Sequence, residues 1–98
     1  MLTVGLDVGG TSVRAGVVDG DGAVIDTARA ATPRDEEALE EAICTAVAEL
    51  ASRHRIAGVG LAVAGFVASD RRTVRFAPHL AWRQAPVADR ISQRVGMP

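Results

Sequence analysis

The hydrophobic and polar residues in the first third of the chain alternate with the period of β-strands. Every second residue is apolar over residues 2–8, which predicts a strand with one buried face. β-Branched residues predict a second strand over residues 13–18. Two Asp-Gly pairs over residues 19–22 predict a tight turn into a third strand over residues 23–30. This part of the chain should therefore form an antiparallel meander of three strands.

The period then changes to that of an amphipathic helix. Asp35 is a suitable N-cap, acidic residues follow in the first turns, and the helix should run to about Arg53. Its apolar positions form one stripe, made of Leu39, Ile43, Ala46, Val47 and Leu50. Cys44 lies beside the stripe and is interpreted as a small, half-buried helix residue rather than a reactive thiol.

A further strand and helix follow. Residues 56–64 alternate Val and Leu with Gly and Ala, which predicts a strand with one almost bare face, open to a helix or a ligand. Residues 65–85 are interpreted as irregular, with a short extended piece over residues 73–76. Pro86 suits the first position of a last helix that stops at Gly96. Because the next element should be another strand, the chain is interpreted as a fragment.

The order is thus β-β-β-α-β-α. A helix that crosses over between the meander and the fourth strand makes that strand parallel to its neighbour, so the sheet should be mixed and the fold class α/β.

The composition narrows the possible functions. All 11 basic residues are arginine, so a Walker-A loop and a Schiff-base lysine are excluded. A net charge of -1 and an aromatic content of 3% argue against nucleic-acid and membrane partners. No segment resembles a signal peptide or a membrane span, and a single cysteine excludes an internal disulfide, which together favour a reducing cytoplasm.

The charge is unevenly distributed. Residues 1–50 carry ten acids and three arginines (net -7), and residues 51–98 carry two acids and eight arginines (net +6). The two halves should attract each other, or two solvated faces of opposite sign should form. A patch that steers a ligand is the less favoured alternative.

Asp7, Gly9, Gly10 and Thr11 form the first candidate site. Glycines in a turn let backbone N–H groups approach phosphate oxygens, and Thr11 can donate a further hydrogen bond. Asp7 can hold Mg²⁺ directly or through water. The alternative is a plain glycine turn beside an incidental exposed acid.

Residues 6–19 resemble the phosphate hairpin of the actin, hexokinase and Hsp70 superfamily. Together with residues 59–67 and the segment Phe76-Ala77-Pro78-His79-Leu80-Ala81-Trp82, they resemble bacterial ROK (repressor, open reading frame, kinase) sugar kinases, and glucokinases in particular. The resemblance covers about residues 2–98. It implies a ribonuclease H-like (actin-like ATPase) fold, of which residues 1–98 are the N-terminal part of the small domain.

The resemblance also implies an activity, the transfer of the ATP γ-phosphoryl group to the 6-hydroxyl of glucose or a related hexose. Asp7 would then organise Mg²⁺ through water, and residues 9–12, including Ser12, would hold the phosphates. The sugar would be contacted by four residues: Gly65, Phe66, Pro78 and His79. The general base, a zinc cluster and the adenine site would lie beyond Pro98, so the isolated chain should be inactive. The full-length protein should be a cytoplasmic homo-oligomer of carbohydrate metabolism.

Three positions depart from the family pattern. Ser12 replaces a usual lysine or asparagine, Ala64 a proline, and His79 an asparagine. Two other functions stay open. One is the sugar-sensing domain of a ROK repressor, which the start of the first strand directly after Met1 disfavours; the other is a non-catalytic nucleotide- or sugar-binding module.

Overall fold

The computed structural model describes residues 1–63, 65–77 and 80–98. Ala64, Pro78 and His79 lie outside the described residues. The elements are β1 (Leu2–Val8), β2 (Ser12–Val18), β3 (Val24–Ala31), α1 (Glu36–Ala51), β4 (Ile56–Val63), β5 (Phe66–Val67), β6 (Val74–Phe76), β7 (Arg83–Ala85) and α2 (Val87–Val95).

The main sheet has the strand order β3-β2-β1-β4. β1 is antiparallel to β2 and parallel to β4, so the predicted mixed sheet is confirmed. Val8 is paired with Val63 in this register, so β1 and β4 end side by side. The segments that follow these two strands, from Gly9 and towards Gly65, therefore start at the same edge of the sheet.

One face of the sheet packs against α1. Asp35 caps this helix as predicted, because its Oδ2 accepts a hydrogen bond of 2.9 Å from the Ala38 N–H. All five residues of the predicted apolar stripe are buried. The largest fully buried side chains of the described chain are Trp82, Leu39, Ile43, Leu50, Val4, Val8, Val13, Val17 and Val47.

The opposite face of the sheet carries small and polar residues and is largely exposed. The register places Gly60, Gly5 and Gly16 in one row across three strands. A neighbouring row contains Asp7 and Arg14, both exposed. The expectation of a bare face on β4 is thus confirmed, and the face extends over β1 and β2.

The interpretation of residues 65–85 as irregular was wrong in one respect. β5, β6 and β7 form a second, antiparallel sheet. Its strands have two or three residues, too few for a period-two pattern to show in sequence. The sheet is held instead by burial, since Val74 and Ala85 are paired in register and both are buried.

The last helix begins one residue later than predicted. Pro86 is the N-cap of α2, not its first helical residue, and its carbonyl accepts a 3.2 Å bond from the Arg90 N–H. Gly96 ends the helix with φ 71°, in the left-handed region that favours glycine, as predicted.

The uneven charge distribution has a direct structural counterpart between α1 and α2. Arg90 forms ion pairs with Glu36 and Glu40, and Arg94 with Glu41. The acidic first half and the basic second half of the chain thus attract each other at this helix pair. No helix of the described chain is long and apolar enough to cross a membrane.

Candidate functional site

The turn between β1 and β2 is closed by its own backbone. The Gly9 N–H donates to the Ser12 carbonyl at 3.0 Å. Gly10 and Thr11 are exposed at the tip, and Ser12 is half-buried. The predicted phosphate residues therefore form one compact, accessible turn.

Thr32 fixes this turn from the side. Its hydroxyl donates to the Gly9 carbonyl at 2.6 Å, and its N–H donates to the Thr11 carbonyl at 3.1 Å. Sequence reasoning missed this residue. Its place follows from the strand register, because β3 runs back along β2 with Ala31 opposite Ser12, and the sequence alone does not give that register.

Glycine at position 9 is not required by the fold. A Cβ there would meet only the Ser12 carbonyl, at an ordinary contact distance of 3.5 Å, and positive φ angles occur at other described glycines, Gly22 and Gly96. A Cβ at Gly9 would have no other neighbour within 4 Å among the described residues, so the space beside this residue is open. This favours the interpretation that the residue keeps that space clear for a ligand.

Asp7 lies one residue before the end of β1 and is exposed. Its register partners are Arg14 on β2 and Ala62 on β4, and the structure shows no hydrogen bond or ion pair of its carboxylate within the described ranges. A carboxylate with no partner among the described residues, next to the predicted phosphate turn, suits Mg²⁺, which takes one or two carboxylates, substrate phosphates and water. No group of three or more His, Cys, Asp or Glu residues that could hold a metal occurs among the described residues.

Gly65, the predicted sugar-facing glycine, is held against the second sheet. Its N–H donates to the Val63 carbonyl at 2.9 Å. A Cβ on this residue would lie 2.6 Å from the Phe76 carbonyl oxygen, and 2.8 Å from the Ala77 Cβ. Here, unlike at Gly9, only glycine fits. The Phe66 backbone then begins β5, in register with Phe76.

The other two predicted sugar contacts, Pro78 and His79, lie outside the described residues, so their roles stay predictions. Their neighbours Ala77 and Leu80 are both buried, and the Leu80 N–H donates to the Ala77 carbonyl at 3.2 Å. The structure thus brings the turn at residues 9–12 and Gly65 to one edge of the main sheet.

Two groups with shifted pKa values, Asp26 and Cys44, lie on β3 and α1. Hydrogen bonds from Arg53 and His54, each 2.9 Å long, lower the pKa of Asp26 from 3.8 to about 2. Burial raises the pKa of the Cys44 thiol, which keeps it protonated and agrees with its interpretation as an unreactive helix residue.

The order β3-β2-β1-β4, the crossover helix and the glycine turn at the edge where β1 and β4 end define an actin-like ATPase domain of the α/β class. The model of the ROK family matches residues 3–98, and the chain belongs to the ROK family.

Relatives of this family include well-matched glucokinases. The glucokinase of Streptomyces coelicolor is 44% identical over 97 residues, which are 99% of this chain and 31% of the relative. A crystal structure of a ROK family glucokinase from Streptomyces griseus, in complex with glucose and AMPPNP, has a TM-score of 0.97 and 46% identity, and the match covers 100% of this chain and 31% of that one.

A more distant structure is the inorganic polyphosphate/ATP-glucomannokinase from Arthrobacter sp. strain KM. It has a TM-score of 0.87 and 27% identity, and the match covers 99% of this chain and 42% of that protein. The chain therefore spans 31% of the length of the two Streptomyces glucokinases and 42% of the Arthrobacter enzyme.

Proposed function

We propose that residues 1–98 form the N-terminal part of the small domain of an ATP-dependent glucokinase, which transfers the γ-phosphoryl group of ATP to the 6-hydroxyl of glucose. The observation that carries this proposal is the shared edge of β1 and β4, where a glycine turn, an exposed carboxylate and a glycine packed against backbone come together. The 46% identical glucokinase, solved with glucose and AMPPNP, supports the choice of substrates.

In this proposal residues 9–12 hold the phosphates: the Gly9 N–H closes the turn, and the N–H groups at its tip and the Thr11 hydroxyl bind phosphate oxygens. Asp7 orients Mg²⁺, which supplies charge neutralisation on the phosphates when bound. Phosphoryl transfer depends mainly on positioning and electrostatic stabilisation, so a rigid turn of backbone donors is an appropriate device. Thr32 contributes by fixing the two carbonyls of the turn, which keeps the N–H groups of the tip directed outwards.

The sugar is proposed to bind beside Gly65 and Phe66, with Pro78 and His79 approaching the same pocket. The backbone of Gly65 is held in place by Ala77, and this fixes one wall of the pocket. The general base is proposed to lie in the part of the enzyme beyond Pro98. The 98-residue chain alone should therefore bind ligands weakly and show no turnover.

The experiment is a coupled assay on the full-length enzyme with glucose, ATP and Mg²⁺. We expect D7N to lower kcat by about 100-fold or more, the usual scale for loss of one group that stabilises transferred charge. D21N is the matched control, because Asp21 is an exposed acid in the turn at the other end of β2. Equal activity of D7N and D21N would contradict the proposed role of Asp7. Turnover by the isolated 98-residue chain would contradict the proposal that the general base lies beyond Pro98.

The phosphoryl donor and the sugar are tested in the same assay. The Arthrobacter relative is named for polyphosphate and for glucose and mannose together, so polyphosphate and mannose belong in the panel. We expect ATP and glucose to give the highest kcat/KM. A preference for another sugar would leave the kinase assignment intact but overturn its specificity. A full-length protein that binds glucose and ATP without turnover would favour the non-catalytic module.

A further inference from the structure

The side chain of Arg83 donates hydrogen bonds to backbone carbonyls on both sides of positions 78 and 79. Nη1 of Arg83 donates to the carbonyls of Ala77 at 3.0 Å, Leu80 at 2.7 Å and Trp82 at 2.7 Å. Nη1 carries two hydrogens, which the three carbonyl oxygens share, and hydrogen bonds from a cationic donor are stronger than those between neutral groups. The guanidinium thus links the described residues 76–77 and 80–82, which are called the loop held by Arg83 below.

The same guanidinium is fixed on its other side by an aromatic ring. Its Cζ lies 4.5 Å from the centroid of the Phe76 ring, within the range of a cation–π contact. Because the guanidinium is planar, stacking and hydrogen bonding restrain its orientation together. A lysine could supply charge at this position but not both contacts.

The loop held by Arg83 is in direct contact with Gly65. Ala77, whose carbonyl accepts from Arg83, has its Cα only 2.9 Å from where a Gly65 Cβ would stand. There is no spare space between the two backbones. A shift of Ala77 towards Gly65 would therefore displace Gly65, and a shift away from it would remove the packing of Gly65 on that side.

The other end of the loop is anchored in the core. Trp82 is fully buried, and its indole N–H donates to Oε2 of Glu40 on α1 at 3.2 Å. Glu40 is itself only 5% exposed and accepts a second bond from Arg90 at 3.1 Å. The bond between Trp82 and Glu40 thus restrains the C-terminal end of the loop against α1. The position of its N-terminal end, at Ala77, depends on Arg83.

We propose that Arg83 is a positioning residue for the sugar pocket, which sets the place of the Phe76-Ala77 backbone and, through it, of Gly65. The inference rests on the proposed function, since it takes Gly65 as part of the sugar site. Arg83 does not touch substrate in this proposal. It acts by holding three carbonyls, and its loss should therefore affect sugar binding more than nucleotide binding.

The test compares R83Q and R83K with R75Q in the full-length enzyme. Arg75 is an exposed arginine on β6, the strand paired with β7, so R75Q removes a similar charge without touching the loop carbonyls. We expect R83Q to raise KM for glucose about 10-fold, since small misplacements at a reacting centre have effects of this order or larger. KM for ATP should stay within about twofold, R83K should lie between wild type and R83Q, and R75Q should match wild type.

Hydrogen exchange of the 98-residue chain gives a readout that does not need activity. R83Q should speed exchange over residues 65–67 and 74–77 and leave β1 and β2 as in wild type. If R83Q speeds hydrogen exchange uniformly over the whole chain, or does not speed it anywhere, the positioning role is overturned. The same holds if R83Q changes KM for glucose and KM for ATP equally, or changes neither.

Two further outcomes separate the proposals. If R83Q does not fold, R83K is judged by the same criteria. If the wild type does not phosphorylate glucose but residues 65–67 still respond to R83Q, Arg83 positions Gly65 as stated and the proposed function is wrong.

Discussion

Gly65 offers the sharpest test of the packing at the candidate site, through the substitution of alanine. The new methyl group would lie 2.6 Å from the Phe76 carbonyl oxygen and 2.8 Å from the Ala77 Cβ. Carbon atoms pack best at about 3.5–4.0 Å, so the two backbones would have to separate by at least about 0.7 to 0.9 Å. Neither is the end of a flexible side chain, and Arg83 restrains one of them.

Overpacking of this kind costs about 1–3 kcal/mol. In a domain of this size each kcal/mol lowers Tm by about 4–8 °C, so G65A should melt about 4 to 24 °C below wild type. The measurement is thermal and urea unfolding of the 98-residue chain, followed by circular dichroism. In the full-length enzyme the same substitution should raise KM for glucose.

G60A is the matched control, because Gly60 lies in β4, five residues before Gly65 in the chain. A Cβ at this position would meet no atom within 4 Å. Its replacement should leave the stability within about 0.5 kcal/mol of wild type, or raise it slightly by reducing the entropy of the unfolded chain. Equal stability of G65A and G60A would refute the steric reasoning.

Three other substitutions test single interactions. D26N should remove a stabilisation that is present above the ordinary pKa of 3.8 and is lost as the pH falls towards 2, so wild type and D26N should converge in urea melts at low pH. E40A should lower stability by about 2–3 kcal/mol, because the buried indole N–H of Trp82 loses its acceptor. T32V should cost about 1 kcal/mol and raise KM for ATP in the full-length enzyme, because the Gly9 carbonyl loses its donor.

The controls are chosen from exposed positions. E37A, in the same helix turn as Glu40, and T3V, on β1, should each change stability by less than about 0.5 kcal/mol. A gap between wild type and D26N that stays constant from pH 5 to pH 2 would contradict the assignment of the low pKa. A change in KM for glucose alone in T32V would place Thr32 outside the phosphate site.

The alternation of apolar and polar residues, together with the helix-capping residues, predicted most of the fold. The main strands, the stripe on α1, the Asp35 cap and the Gly96 stop are local features, and each is confirmed. The second sheet was not predictable, because its short strands carry no period and depend on contacts with residues distant in sequence. Local pattern also placed Pro86 one residue too far into its helix.

The site was predicted unevenly. The glycine turn and Asp7 follow from a motif with a chemical use, and resemblance to the family added Gly65. Thr32, Glu40 and Arg83 were missed because each acts through a partner at least 23 residues away or through carbonyls, which have no sequence signature. Glu40 was counted among the acids that suit the start of a helix, although it lies beside the apolar stripe.

Trp82 is the single tryptophan of a chain that has no tyrosine. Its indole is fully buried at the point where the loop held by Arg83 joins Glu40 on α1. Fluorescence excited selectively in the indole band therefore comes from Trp82 alone in this domain. Trp82 lies at one end of the segment that faces Gly65. The domain carries its own optical probe, so a change in emission on adding glucose would report the response of this loop without any label.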